Sequence, residues 1–336
     1  LGAEVWGYSL PPNKNQSLFN ELKLEHNFDC FHHNLGDIND LQVLQSLIEQ
    51  AQPEVVIHLA AQPLVRQSYR DPLGTWATNV QGSLHLLEAL KLLRHACAVV
   101  MVTTDKVYAN REWDFGYREA DRLGGYDPYS SSKAAAELAI SSWRSSFCGS
   151  GAYQTPYLKI ATARAGNVIG GGDWASERIL PDAIRALIAG QPIPVRNYVA
   201  NRPWQHVLEP LAGYLLLAQC LSTSPAGIRC ETAFNFGPQL EGNRTVGELV
   251  EEILQHWPGS WLDLSELDAV HESGRLHLQI DKAHHQLSWR PRWDFATTVA
   301  FGSIMASTLS AVAIDILEHE QLVVRFHAGQ EKGARR

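Results

Sequence analysis

The chain has 336 residues, 45% of them hydrophobic and 19% charged, which is enough for one large or two modest globular cores and excludes a fibrous or disordered chain. Its formal net charge of −8 leaves no basic footprint, so nucleic acid is excluded as a partner and an anionic ligand must be held by locally placed arginines. No apolar run reaches the roughly 18 residues of a membrane span and no signal peptide is recognisable, which predicts no membrane association and a cytoplasmic setting.

The chain opens on Leu1 rather than Met, and Gly2 to Tyr8 reads as a helix end running straight into a strand near Val5 to Tyr8. The expectation is that a first strand and a glycine-rich turn are missing in front of it. Helix and strand then alternate: a helix near Ser17 to Leu24, a strand near Asp29 to His32, a helix near Ile38 to Gln50 and a strand from Glu54 to Leu59. Such βα alternation predicts a parallel sheet with right-handed crossovers. From about Pro72 to His95 a helix carries Trp76, Val80, Leu84, Leu87 and Leu90 as an apolar stripe toward the sheet. Ala96 to Thr103 is a continuous apolar run, as a strand buried on both faces requires. A helix from about Asp127 to Phe147 and a strand from Tyr157 to Ala165 complete the first part.

Beyond Asn167 the texture changes. Gly170 to Trp174 reads as a loop, Arg178-Ile-Leu-Pro181 opens a helix, and Pro192 to Gln205 is irregular and carries Arg196 and Arg202. Glu231 to Phe236 returns as a strand, and Thr245 to Glu248 forms a capping box for a helix reaching Trp257. The apolar stretch Phe301 to Leu317 reads as a helix packed on the body. The predicted organisation is a Rossmann-like, doubly wound α/β domain over residues 1–167 and a smaller, discontinuous substrate lobe over 168–336, with 207–240 returning to the first domain. Cys30, Cys97, Cys148, Cys220 and Cys230 are odd in number and lack CxxC spacing, which fits a reducing compartment. His32-His33 and His284-His285 have no carboxylate or Cys at ligand spacing, read as solvated loop residues, and predict no metal.

The chemistry concentrates in two stretches. Thr104 and Asp105 follow the apolar strand directly, at the carboxyl edge where open α/β sheets bind ligands, and Lys106 comes next. Tyr129 and Lys133 stand one helical turn apart on a shared face. A phenol ionises near pH ~10; a neighbouring ammonium together with a cationic nicotinamide draws that value down, so that Tyr129 can take a proton from a sugar hydroxyl while Thr104 hydrogen-bonds the same oxygen. This is an oxidoreductase's set of groups.

With Gly36-Asp37-Ile38, His58-Leu-Ala-Ala-Gln62, Ala77-Thr-Asn79, Thr103-Thr-Asp-Lys106, the Tyr129/Lys133 pair, Ala163-Arg-Ala-Gly-Asn167, Arg178-Ile-Leu-Pro181 and Arg202-Pro-Trp-Gln-His206, the chain resembles the extended short-chain dehydrogenase/reductases that act on nucleotide sugars. The resemblance covers about Leu1 to Phe295, and Lys106 after Asp105 points within that family to the CDP-glucose 4,6-dehydratase subgroup. It implies a tightly held NAD and a nucleotide-sugar substrate. Ser9, Asp37, Ile38, Leu59, Ala60, Ala61, Gln62 and Asn79 would then contact the cofactor together with Tyr129 and Lys133. Asn167, Arg178, Arg196 and Arg202 would hold the sugar diphosphate, and Trp204, Gln205 and His206 would lie near the base. Assembly as a homodimer or homotetramer through the two long helices is also implied. Two alternatives stay open: a 4,6-dehydratase or 4-epimerase for another nucleotide sugar, and a catalytically silent nucleotide-sugar-binding protein, the latter because no GxxGxxG opens the sequence.

Overall fold

The computed structural model describes residues 2–12, 18–21, 30–223, 227–265 and 273–307. Its centre is a parallel sheet in the order β10-β5-β4-β3, formed by β3 (Val55–His58), β4 (Cys97–Val102), β5 (Leu158–Ala165) and β10 (Ala233–Phe236). A second parallel pair, β1 (Val5–Ser9) and β2 (Phe31–Leu35), stands as its own ribbon, without a paired strand shared with the larger sheet among the described residues. β4 is buried along nearly its whole length because helices cover both faces, which is why its sequence is continuously apolar instead of alternating.

On one face lie α2 (Leu41–Ala51), the helical rod from Val65 to Leu90 and α6 (Pro128–Phe147). The rod is not one regular helix. It comprises α3 (Val65–Arg70), α4 (Pro72–Trp76), a π-helical turn over Ala77–Gln81 and α5 (Gly82–Leu90). The inserted turn rotates the apolar stripe: Leu86, Leu87 and Leu90 are buried, each contributing about 1.5–3 kcal/mol, whereas Trp76 is 41% exposed and does not face the sheet as its spacing predicts. On the other face α8 (Leu208–Thr223) and α10 (Asp281–Leu287) pack on β4, β5 and β10. Gly213 of α8 lies so close to the Phe236 ring that a Cβ would overlap it.

The remaining elements build a second apolar cluster around α7 (Ile179–Ile188), α9 (Val246–His256) and α11 (Phe295–Ser307). The capping box at Thr245 and Glu248 is present in full. The stretch predicted to be irregular instead holds three short strands, β7 (Ile193–Val195), β8 (Asn201–Pro203) and β9 (Gln205–His206), paired with β12 (Trp261–Asp263), β11 (Asn243–Thr245) and β6 (Val168–Ile169). Their partners lie far away in sequence, so local pattern carries no trace of them.

Several expectations change in detail. The helix near Ser17 is described only as α1 (Leu18–Glu21), and Leu22, Lys23 and Leu24 lie outside the described residues, as does the end of the Phe301 to Leu317 stretch. The paired histidines are not in loops: His32 and His33 lie on β2, where His32 pairs with Glu4 and packs on Trp6, and His284 and His285 lie on α10. No group of three or more metal-ligating side chains occurs among the described residues. Cys220 and Cys230, both buried, are joined as a disulfide that the sequence spacing did not suggest. No helix among the described residues is long and apolar enough to cross a membrane.

A chain of polar contacts runs beneath the rod. Buried His58, the last residue of β3, shares a 3.0 Å hydrogen bond with Ser83, whose hydroxyl donates to the Asn79 carbonyl at 2.8 Å. Burial, and secondarily the charge of Lys133, lowers His58 from its ordinary value near 6.5 to about 3, and burial lowers His206 to about 4. Both rings therefore stay neutral in the fold and bind protons more readily unfolded. Their contribution to stability is complete above about pH 6.5 and is lost as pH falls through the folded values. Stability should fall between pH 6.5 and 4 by on the order of a few kcal/mol, read as a lower melting temperature, and a His58→Gln protein should follow a flatter curve; parallel curves would contradict the assignment. In the core, Gly213→Ala should lower the melting temperature by several degrees through about 1–3 kcal/mol of overpacking against Phe236, measurable by calorimetry.

Candidate active site

Asp127 caps α6 by accepting from Ser130 N at 2.9 Å and from the Ser130 hydroxyl at 2.5 Å, and Pro128 occupies the first helical position. The cap fixes the turn that carries Tyr129, whose N–H donates to the Ser68 hydroxyl of α3 at 3.0 Å. Gly125 passes so close to Ser130 and Ser131 that any Cβ there would collide with their backbone, which explains a glycine in the preceding loop. Across from the helix, β4 ends at Val102 and the chain turns through Thr103 and Thr104 into a 3-10 turn over Asp105–Val107. The carboxyl edge of β4 and the first turns of α6 thus meet.

At that junction the five predicted catalytic residues come together. The Thr104 hydroxyl donates to Asp105 Oδ1 at 2.9 Å and is also within hydrogen-bonding reach of the Tyr129 phenol. Lys106 Nζ lies 3.3 Å from Asp105 Oδ1 and 3.5 Å from Asn167 Oδ1, and Asp105 Oδ2 is buried without a protein partner. Lys133 Nζ donates to the Val102 carbonyl at 3.3 Å. Burial lowers the Lys133 ammonium to about 8 against the raising influence of Glu137. In the protein alone, without the nicotinamide charge that the expectation included, burial pushes the Tyr129 phenol up to about 12, and the Thr104 hydrogen bond only partly offsets this. Lys133 is not what governs it in the protein alone.

Thr104, Lys106 and Tyr129 line a cleft of about 1160 Å³ whose far wall comes from the second cluster of elements. That wall carries Arg178, Arg196, Arg202 and Trp204, and Asn167 lines the cleft within reach of Lys106. Arg178 is paired with Asp173 at 2.7 Å and Arg196 with Asp182 at 3.4 Å, while Arg202 is buried and donates to the Asn201 carbonyl at 2.8 Å. Gln205 and His206 lie behind the wall: Gln205 donates to the Phe236 carbonyl at 2.9 Å, and His206 packs on Trp293 at 4.4 Å between ring centres. Tyr198 and Trp261, stacked at 5.0 Å, and Arg66 also line the cleft and were not singled out from sequence.

The residues predicted to hold a dinucleotide divide. Leu59 lines the cleft at the carboxyl end of β3 with 57% of its surface open, an apolar side chain laid bare at the sheet's ligand edge. Ala60 packs against the core behind it. Ala61 and Gln62 follow, and Asn79 holds this loop by accepting from Gln62 N at 2.8 Å and donating to Gln62 O at 3.1 Å. Asn79 Nδ2 also reaches Ser132 at 2.9 Å, so the π-helical turn ties the β3 loop to α6. Ser9, the last residue of β1, and Asp37, just past β2, lie exposed, and Asp37 accepts from Asn39 N at 2.8 Å. Ile38 is core, packed on Gly82.

A buried ionic cluster directly behind the junction also escaped the sequence reading. Glu137 accepts from Thr103 at 2.6 Å, from Thr162 at 2.9 Å and from Arg164 at 2.8 and 3.0 Å. Arg164 continues to Tyr108 at 2.9 Å, and Tyr108 donates to Asn235 at 2.6 Å. The sequence held one signal for it, an arginine inside a strand that is otherwise buried.

Comparison with known proteins places this geometry. The chain is 45% identical over 301 residues to the CDP-glucose 4,6-dehydratase of Salmonella typhimurium, covering 89% of this chain and 82% of the relative. It is 30% identical to the dTDP-glucose 4,6-dehydratase of Streptomyces antibioticus, covering 79% and 73%. Among solved structures, DesIV, the dTDP-glucose 4,6-dehydratase of Streptomyces venezuelae, shares the fold with a TM-score of 0.70 at 23% identity, covering 83% of this chain and 80% of that one. Residues 4–301 match the family described as GDP-mannose 4,6 dehydratase, and the chain belongs to that family.

Proposed function

We propose that this protein is a CDP-glucose 4,6-dehydratase, converting CDP-glucose to CDP-4-keto-6-deoxyglucose and water with NAD bound and regenerated in each cycle. The observation that carries the reading is the meeting of Thr104, Lys106 and Tyr129 in one cleft, with Asp105 hydrogen-bonded to the first two. The similarity to the Salmonella dehydratase supports CDP-glucose as substrate. The open face of Leu59 and the buried ammonium of Lys133 suit the nicotinamide end of NAD, and Ser9 and Asp37 its adenosine end. Residues 1–167 with 207–240 form the cofactor-binding part in this reading, and the rest of the chain forms the substrate lobe.

NAD, held beside Tyr129 and Lys133, would supply the hydride acceptor for C4 and the hydride donor for C6. The protein's own groups move the protons. Tyr129 takes the proton of the 4-hydroxyl while Thr104 hydrogen-bonds that oxygen. The carbonyl formed at C4 acidifies the proton on C5. Asp105 protonates the departing 6-hydroxyl through Oδ2, the oxygen left without a protein partner. Lys106, held between Asp105 and Asn167, removes the C5 proton and gives a proton back to C5 once C6 has received hydride, or else balances the enolate charge while a water serves C5. Arg178, Arg196 and Arg202 face the diphosphate across the cleft. An epimerase of the same fold does not need the Asp105-Lys106 pair, which separates the two reactions.

Tyr129→Phe should lower kcat by about 10²–10⁴-fold while leaving the melting temperature in place, and unaltered turnover would defeat the assignment. Incubation with CDP-, dTDP-, GDP- and UDP-hexoses and NAD should release one water from CDP-glucose alone, read by mass spectrometry. Product from another sugar would reassign the base, and none from any would favour a silent binding protein. A homodimer or homotetramer is the proposed assembly, through α4 and α6, where Leu73 and Leu138 stand 83% and 62% exposed. Light scattering on Leu73→Asp should then report a smaller particle than on the unaltered chain.

A further inference from the structure

We infer that Glu137 and Arg164 are a positioning pair for this reaction: the carboxylate clamps the Thr103–Thr104 strand end to the helix bearing Tyr129 and Lys133, and sets a compensating negative charge one turn beneath Lys133. The inference rests on the dehydratase reading above. Neither residue touches the cleft, so both act through others.

The geometry is specific. The side chains of Glu137 and Arg164 are 3% and 4% exposed and meet through two hydrogen bonds, the bidentate arrangement a planar guanidinium favours. Glu137 also takes the Thr103 hydroxyl at 2.6 Å, and Thr103 immediately precedes the residue bonded to Tyr129 and Asp105. Arg164 is held in turn by Tyr108 and by the Glu119 carbonyl at 3.0 Å. Loss of the pair would release the strand end from the helix at the point where Thr104 must sit.

The charges around Lys133 are few. On its own helix it has Glu137 one turn on and Tyr129 one turn back; β3 presents neutral His58, and β4 presents the Val102 carbonyl. Around Glu137 stand Thr103, Thr162 and Arg164, with Arg144 on the same helix. The carboxyl is held below the usual range despite its burial, chiefly by Arg164, so it is ionised throughout the working pH range. Because Lys133 is already lowered by burial, its protonated form depends on that carboxylate. Removing only the negative charge takes away the carboxylate that raises Lys133 and leaves the Arg164 cation uncompensated, and the ammonium loses its proton at lower pH.

The test compares the full-length wild type with Glu137→Gln and with the charge-neutral double variant Glu137→Gln/Arg164→Gln. Two readouts are taken across pH: kcat for water loss, and competitive acetylation of Lys133 by mass spectrometry. The alkaline fall of kcat should move to lower pH by about one unit in Glu137→Gln and by less in the double variant, and Lys133 acetylation should shift in the same order. The KM for the sugar should change less than the kcat. A purely structural role would scale kcat down equally at every pH and leave Lys133 reactivity in place, and that result overturns the inference. Should the single variant not hold its fold, the double variant is read against wild type in the same direction. A wild type without turnover counts against the dehydratase reading alone, since acetylation of Lys133 still decides the present one.

Discussion

A carboxylate buried between a helix and a sheet survives only if donors replace its lost hydration, and Glu137 has four, from Thr103, Thr162 and both forks of Arg164. Each donor comes from the residue just past β4 or from the carboxyl half of β5, so satisfying this one group fixes how α6 sits across the sheet. The register between α6 and β4 then follows. With α6 seated, Tyr129 and Lys133 reach the end of β4, and Val102 has a carbonyl free for the Lys133 ammonium. The apolar contacts of Ala136 and Ile140 with Val99 and Ile160 hold the layers together but are non-directional. The ionic cluster supplies the direction.

The two walls of the cleft divide the electrostatic work. A chain with a net charge of −8 cannot attract an anion by its overall field, so the cations must be local. Arg178, Arg196 and Arg202 provide them on the far wall, and the acids Asp173 and Asp182 hold two of them in place. A diphosphate reaching that wall exchanges one anionic partner for another, which lowers the net gain in binding but keeps the guanidinium groups oriented beforehand. On the near wall Lys106 is treated alike, suspended between a carboxylate and an amide.

Much of this was legible in the sequence where the signal was local. The apolar run of β4, the i, i+4 spacing of Tyr129 and Lys133, the start of α6 near Asp127 and the capping box at Thr245 depend on neighbouring residues and lie within a residue or two of their predicted places, while the βα alternation holds with boundaries that move further. Non-local features were not legible. The π-helical turn at Ala77–Gln81 turned Trp76 outward because Asn79 is held by Gln62 and Ser132, far away in the chain. The strands between Ile193 and His206 owe their existence to partners up to tens of residues away, and Gln205 and His206 are drawn inward by Phe236 and Trp293. Glu137 was readable as a third member of the Tyr129 and Lys133 face, one turn further on. Only the fold shows that it meets an arginine.

The expected lowering of the phenol counted a cationic nicotinamide together with the ammonium; in the protein alone burial raises it, and the reason bears on how the site works. Spacing puts an ammonium near Tyr129, but spacing does not show how dry the junction is. Burial lifts the phenol to about 12 and lowers the ammonium to about 8, so around neutral pH the protein alone holds a protonated phenol beside a protonated amine. A base of that kind is idle until further positive charge enters the same low-dielectric space, where a charge acts far more strongly than in water. The oxidised nicotinamide carries such a charge, and the reduced ring does not. In the proposed dehydratase reading, Tyr129 would therefore gain basicity when the oxidised cofactor is bound. Burial, which makes Tyr129 a poor base in the protein alone, is also what leaves its basicity responsive to a charge brought into the cleft.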